Sequence, residues 1–280
     1  MEGSAKKLFL PTLIVGVLAV AVTVSASPAV TSALVHPRIW NDDSDSVLVT
    51  GNTYANPPNS GSIFFDDSVL DGDGAGGEWA NRHMFRFSDN GITDAVFSND
   101  DLFQFSADVT VTGPANSEAG LEIAPWWSHD VGGGLTVITG NGEIAAFGGR
   151  MPFYSFTSNY GITYTKGETV GLSMEYYPPA LTPYGKGWVR YGVIDEGTSY
   201  SSGWLSFDQA NPAEDPPYGV WGILNDARAG GYTLPQIVVG DPTNWSRTDF
   251  DNIAYYPTPE PSGLLLLGLG GVALLRRKRS

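Results

Sequence analysis

The chain has 280 residues, no cysteine, and 30 acidic side chains against 15 Lys and Arg, a formal net charge of −15. Disulfides and thiolate metal sites are therefore excluded, and nucleic acid is excluded as a partner because binding phosphate needs a basic footprint that this surface lacks. The 35 Gly and 19 Pro work against long helices but suit the turns of an antiparallel sheet.

In chain order, Lys6 and Lys7 form a charged start, Leu8 to Val24 an apolar run interrupted by Pro11, and Val24-Ser25-Ala26 a small-residue cleavage site. This is the layout of an export signal peptide over residues 1–26, helical in its apolar part. Thr31-Ser32-Ala33 offers an alternative cut. Without Glu2, Lys6, Lys7 and the four basic residues near the C-terminus, the 15 cations and 30 acids fall to 9 and 29, about −20. Such a surface favours divalent cations as company.

The segment 27–256 is long enough to bury a core of its own and reads as one domain. Its first part, Asn41 to Gly91, is rich in Asn, Asp, Gly and Pro, with strands expected only at Ser46 to Thr50, Ser62 to Phe65 and His83 to Phe87. Within it Asp67, Asp71, Gly72 and Glu78 take positions 1, 5, 6 and 12 of a calcium loop, with Asp73 beside them. Hard oxygen ligands on a Gly-rich loop suit a structural Ca²⁺, although Val69 stands at position 3 and no helices flank the run.

From Leu102 to Thr112 the residues Phe103, Phe105, Ala107, Val109 and Val111 alternate with Gln104, Ser106, Asp108 and Thr110. Thr169 to Tyr177 repeats this period of two, the mark of a half-buried strand. Further strands are expected at Gly120 to Ala124, Leu135 to Thr139, Glu143 to Phe147, Pro152 to Thr157, Lys186 to Asp195, Trp204 to Phe207, Val220 to Leu224, Pro235 to Gly240 and Asp249 to Tyr256. Asn141-Gly142 marks a hairpin between two of them. The spacing predicts an all-β fold, two packed antiparallel sheets in an aligned sandwich or jelly roll.

Phe103 to Val109, Glu118-Ala119-Gly120-Leu121, Asn141-Gly142-Glu143-Ile144 and Phe250-Asp251-Asn252-Ile253 together resemble the concanavalin A-like lectin/glucanase superfamily. The resemblance implies that fold from Leu102 to Tyr256, and it implies that Asp251, on the last strand, helps to hold a structural calcium. Glycanases of this type carry carboxylates on alternate residues of one strand, because residues i and i+2 share a face. That pattern is absent here: Glu118 and Glu122 are four apart, Glu143 precedes an apolar run, and Glu175 stands alone. No catalytic residue is assigned, and a polysaccharide-active enzyme is the alternative reading. His36, His83 and His129 lack metal-ligand spacing and read as loop or strand-end residues.

Trp126 and Trp127 are adjacent, so in an extended segment they point to opposite sides and one indole faces solvent, as a glycan-stacking platform requires. Tyr154, Tyr160, Tyr164, Tyr176 and Tyr177 are candidates to extend it; Trp188, Trp204 and Trp221 are assigned to the core.

The chain closes on Pro259-Glu260-Pro261, an uncharged run from Gly263 to Leu275, then Arg276-Arg277-Lys278-Arg279. Thirteen residues rise about 20 Å as a helix, short of the roughly 30 Å of a bilayer core, which suits a transient anchor. The cations after it hold the C-terminus in the cytoplasm and leave the domain outside. Residues 257–280 are similar to the PEP-CTERM sorting signal. The resemblance implies an exosortase-type protease as partner, transient anchoring by a short transmembrane helix, release near the motif, and a cell-surface or matrix protein associated with exopolysaccharide.

Overall fold

A computed structural model describes residues 27–38, 46–55, 61–69, 81–124, 132–149, 151–182, 185–207, 222–223, 226–236 and 243–257. The signal and sorting segments, the loop bearing Asp71, Asp73 and Glu78, and Trp126, Trp127, His129 and Trp221 lie outside them, as do most of the strands expected at Val220 to Leu224 and Pro235 to Gly240.

The fold is the expected sandwich of two antiparallel sheets. The first takes β1 (Ser32–Arg38), β4 (Arg82–Ser88), β13 (Arg228–Pro235), β6 (Ser117–Ala124), β7 (Gly133–Ile138), β8 (Glu143–Phe147) and β9 (Tyr154–Ser155), in that spatial order. The second takes β12 (Thr198–Ser206), β11 (Trp188–Asp195), β10 (Thr169–Tyr177), β5 (Phe103–Thr112), β14 (Trp245–Pro257), β3 (Ile63–Val69) and β2 (Ser46–Asn52). β5 and β10 keep the strict alternation read from their sequences, with odd residues of β5 and even residues of β10 buried. Asn141-Gly142 does close the β7–β8 hairpin.

The interior has two regions. At one end Phe85, Phe87, Phe97, Phe103, Phe105, Phe250 and Tyr255 form a connected aromatic cluster between the sheets. At the other, polar pairs bridge the sheets: Ser117 to Ser246 at 2.6 Å, Thr233 to Thr248 at 2.7 Å, and His83 to Asp67 at 2.8 Å, with Asn81 donating to the same Asp67 oxygen at 2.8 Å. Buried polar groups need such partners, and these bonds also fix the alignment of one sheet on the other.

Several expectations change. His83 is a core residue stacked on Phe65, not a strand-end histidine. Tyr164 and Tyr176 are buried among core residues, so neither extends a surface platform. Trp204 lies on the outer face, 37% exposed, and not in the core; Trp188 is half-buried. The strand expected at Pro152 to Thr157 is two residues long and turns into a short helix, α1 (Phe156–Tyr160), because Ser155 caps it by accepting from the Ser158 amide. β13 (Arg228–Pro235) was not assigned from sequence: Gly230 and Gly231, which look like a turn, sit in mid-strand where the Phe85 backbone and ring leave no space for a Cβ. β1, unassigned from sequence, carries Ala33 into the core, and Ser27 exchanges hydrogen bonds with the Leu102 backbone.

Candidate functional site

The outer face of the first sheet carries a layer of charged side chains that the alternation of its strands places together. Arg82, Met84 and Arg86 of β4 project there because Phe85 and Phe87 take the core side. Register with β13 sets Gly230 beside Arg86 and Tyr232 beside Met84; register with β6 sets Glu122 beside Gly230 and Gly120 beside Tyr232. Glu118 and Glu122 are therefore on this face with Tyr232 between β6 and β4.

Glu122 is completely buried, and each of its oxygens accepts from a different arginine, Oε2 from Arg82 and Oε1 from Arg86. The second Arg86 nitrogen donates to the Met84 sulfur at 3.1 Å. The Arg82 guanidinium lies 4.2 Å from the centre of the Tyr232 ring, a cation–π contact, and its buried Nε lacks a hydrogen-bond acceptor. Burial pushes the Glu118 carboxyl upward, against the pull of Arg82 and a hydrogen bond with Tyr232. Burial and the neighbouring Glu118 hold the Tyr232 phenol well above its usual range, so it keeps its proton at neutral pH. At the edge of this layer His36 meets Asp94 at 2.8 Å, and Arg228 stands 4.0 Å from the other Asp94 oxygen.

This is an arrangement of mutual neutralisation. Both oxygens of Glu122 are engaged, so it is not a free base. Glu118 and Glu122 are separated by four residues of strand, about 13 Å, outside the range of about 5 to 9.5 Å that a glycosidase pair spans. The sequence pointed to these two acids and found no catalytic spacing; it missed that Arg82, Arg86 and Tyr232 close around them. Arg82-His-Met-Phe-Arg86, with charges four apart on a strand, was the available signal.

The calcium residues divide. Asp67 is buried between the sheets and holds His83 and Asn81. Asp251 is on the outer face of the second sheet, paired in register with Asp108; burial, then Asp249 and Asp108, push its carboxyl upward. The two point to opposite faces of the second sheet. Among the described residues no group of three or more His, Asp or Glu is placed to hold a metal. Asp71, Asp73 and Glu78 lie outside them, as do the stacking candidates Trp126 and Trp127, the motif Pro259, Glu260 and Pro261, and the basic stop Arg276, Arg277, Lys278 and Arg279. No helix among the described residues is long and apolar enough to cross a membrane.

Residues 257–279 match the PEP-CTERM protein-sorting motif. The motif marks proteins that are exported, anchored in the membrane transiently and sorted to the cell surface by an exosortase, and the chain is exported in this way. Comparison with curated proteins found no match. Among solved structures, the chain is similar to the alginate lyase from Klebsiella pneumoniae (10% identity, TM-score 0.43, covering 71% of this chain and 82% of that one). It is also similar to the family 7 alginate lyase A1-II′ (10%, 0.40, 74% and 85%) and to arcelin-5, a lectin-like defence protein from Phaseolus vulgaris (11%, 0.35, 81% and 98%).

Proposed function

We propose that the exported domain is a noncatalytic module that binds extracellular polysaccharide at the cell surface. The observation that supports this reading is the closed state of the charged layer: Glu122 is spent on Arg82 and Arg86, and Glu118 stands too far along the strand to act with it. The sorting motif supplies the location, the cell surface, and exopolysaccharide as the partner there is part of this proposal.

The rival reading is a polysaccharide-active enzyme, favoured by one feature, the buried Tyr232 phenol held between Arg82 and Glu118. One experiment separates them. The exported protein is incubated with neutral glucans and with alginate, and both retention of glycan and release of reducing or unsaturated ends are followed. Retention without release supports the module. Release that Tyr232→Phe abolishes supports the enzyme.

A structural calcium at the acidic loop of Asp67, Asp71, Asp73 and Glu78, with Asp251 as the candidate ligand on the last strand, is a proposal of the same kind. Its test is whether calcium, and not magnesium, raises the melting temperature.

A further inference from the structure

The outer face of the second sheet carries a row of side chains that crosses five adjacent strands. Register places Trp204 of β12 opposite Arg190 of β11, Arg190 opposite Glu175 of β10, Glu175 opposite Gln104 of β5, and Gln104 opposite Tyr256 of β14. Four inter-strand steps of about 4.8 Å make the row roughly 19 Å long. Its two ends are aromatic and open to solvent, Trp204 at 37% and Tyr256 at 39% exposure. Its middle is polar: Arg190 donates to Glu175, and Gln104 offers an amide. The Arg190 guanidinium also lies 4.9 Å from the centre of the Trp204 ring, and Tyr177 meets that indole edge-on at 5.6 Å, so the ring is held in place.

Both aromatic ends face outward because of an inserted residue. In β12 the register shifts so that Ser202 and Gly203 together face Tyr191, and the Tyr191 amide donates to the Ser202 hydroxyl at 2.9 Å. Gly203 takes a left-handed φ of 67°. In β14 Asn252 and Ile253 together face Ala107, with Asn252 at a φ of 49°. One extra residue reverses which side chains face outward from that point on. Without the first bulge Trp204 would fall on the face of Tyr200, toward the core; without the second, Tyr256 would fall on the face of Phe250. Two separate bulges thus deliver two aromatics to the same cross-strand row.

We infer that this row is a binding site for an uncharged oligosaccharide of a few sugar units. Sugar rings present apolar C–H faces, which indole and phenol rings pack against, and hydroxyls, which match the donors and acceptors of Arg190, Glu175 and Gln104. Charge selects within the class. Arg190 is cancelled by Glu175, and a chain with a net charge of −15 repels a uronate polymer. Tyr256 also immediately precedes the sorting motif at 257–279, so a glycan held on the row lies close to the point where the chain is tethered before release.

This inference rests on the polysaccharide-binding reading and gives it a place. The test uses the exported protein, cellohexaose, maltohexaose and mannohexaose as neutral probes, and an alginate hexamer as the anionic one, with binding read by titration calorimetry. Trp204→Ala and Tyr256→Ala each weaken binding of a neutral hexaose about tenfold or more, Trp204→Tyr retains most of it, and melting curves confirm folding. Neutral binding that survives both alanine variants overturns the row and leaves the general reading standing; so does binding of the alginate hexamer alone. Wild-type protein that binds none of the four overturns both. Bulges that serve only to seat Leu205 and Tyr255 in the core give the first of these outcomes.

Discussion

At the scale of single residues, Glu122 is the point on which the first sheet's outer face depends. A carboxylate without access to water is tolerable only because two guanidiniums meet its two oxygens. Glu122→Gln keeps the shape and removes the one carboxylate that meets both guanidiniums directly, leaving Arg82 to Glu118 and Arg86 to Asp94 as the nearby charges. A loss of about 3–5 kcal/mol in denaturant unfolding is expected; a loss near zero would mean that the arginines are neutralised elsewhere. Glu118 behaves in the opposite sense. Its folded-state carboxyl titrates above the ordinary value of 4.5, chiefly through burial. The charged form is therefore disfavoured by folding, and its contribution to stability improves as pH falls through the raised pKa, complete near the ordinary value. Glu118→Gln should remove that part of the pH dependence, so the stability difference between variant and parent narrows from neutral pH down to 4.5; a constant difference would contradict the assignment.

At the scale of elements, β5, β10 and the β7–β8 hairpin were legible because their signals are local: strict alternation, and an Asn-Gly turn. Three things were not. β1 contains Pro37 and comes soon after the apolar run from Leu8 to Val24, so its pattern was masked by its neighbour. β13 hides behind a Gly-Gly pair whose purpose, close approach to Phe85, exists only once β4 is beside it. The outward position of Trp204 depends on a bulge, and a single inserted residue inverts every face assignment after it. From the placement of β1 we propose that the earlier of the two signal cuts is the one used. Cleavage after Ala33 would remove Val30 and Ala33 from the core and Ser27 from its bonds to Leu102. Intact-mass measurement of the exported protein should place its N-terminus at Ser27; an N-terminus at Leu34 would require a sandwich that forms without the start of β1.

At the scale of the whole molecule, two sheets are joined by an aromatic cluster at one end and polar bridges at the other, and the bridges carry the alignment. Asp67→Ala would leave the His83 ring and the Asn81 amide without the oxygen they share inside the protein. Loss of hydrogen bonds to a charged acceptor, about 1.5–3 kcal/mol, sets the expected fall in unfolding free energy; an unchanged value would show that the bridge contributes no net stability. The charged layer of the candidate site was only half legible for the same reason the bridges were illegible. Glu118 and Glu122 stand in one strand and can be read together, whereas Arg82, Arg86 and Tyr232 reach them from positions 36 to 114 residues away in sequence. Such partners are set by topology, and a single sequence does not print topology.

Export and sorting bring an acidic sandwich to the surface, and the function we propose for it there is to hold glycan unchanged. Recovery of the glycan from its complex tests this most directly: the exported protein is left with a neutral hexaose and with alginate, and the sugars are then released and analysed by NMR. Intact chains are the predicted result. Shortened chains, or chains with a new unsaturated end, would contradict the account.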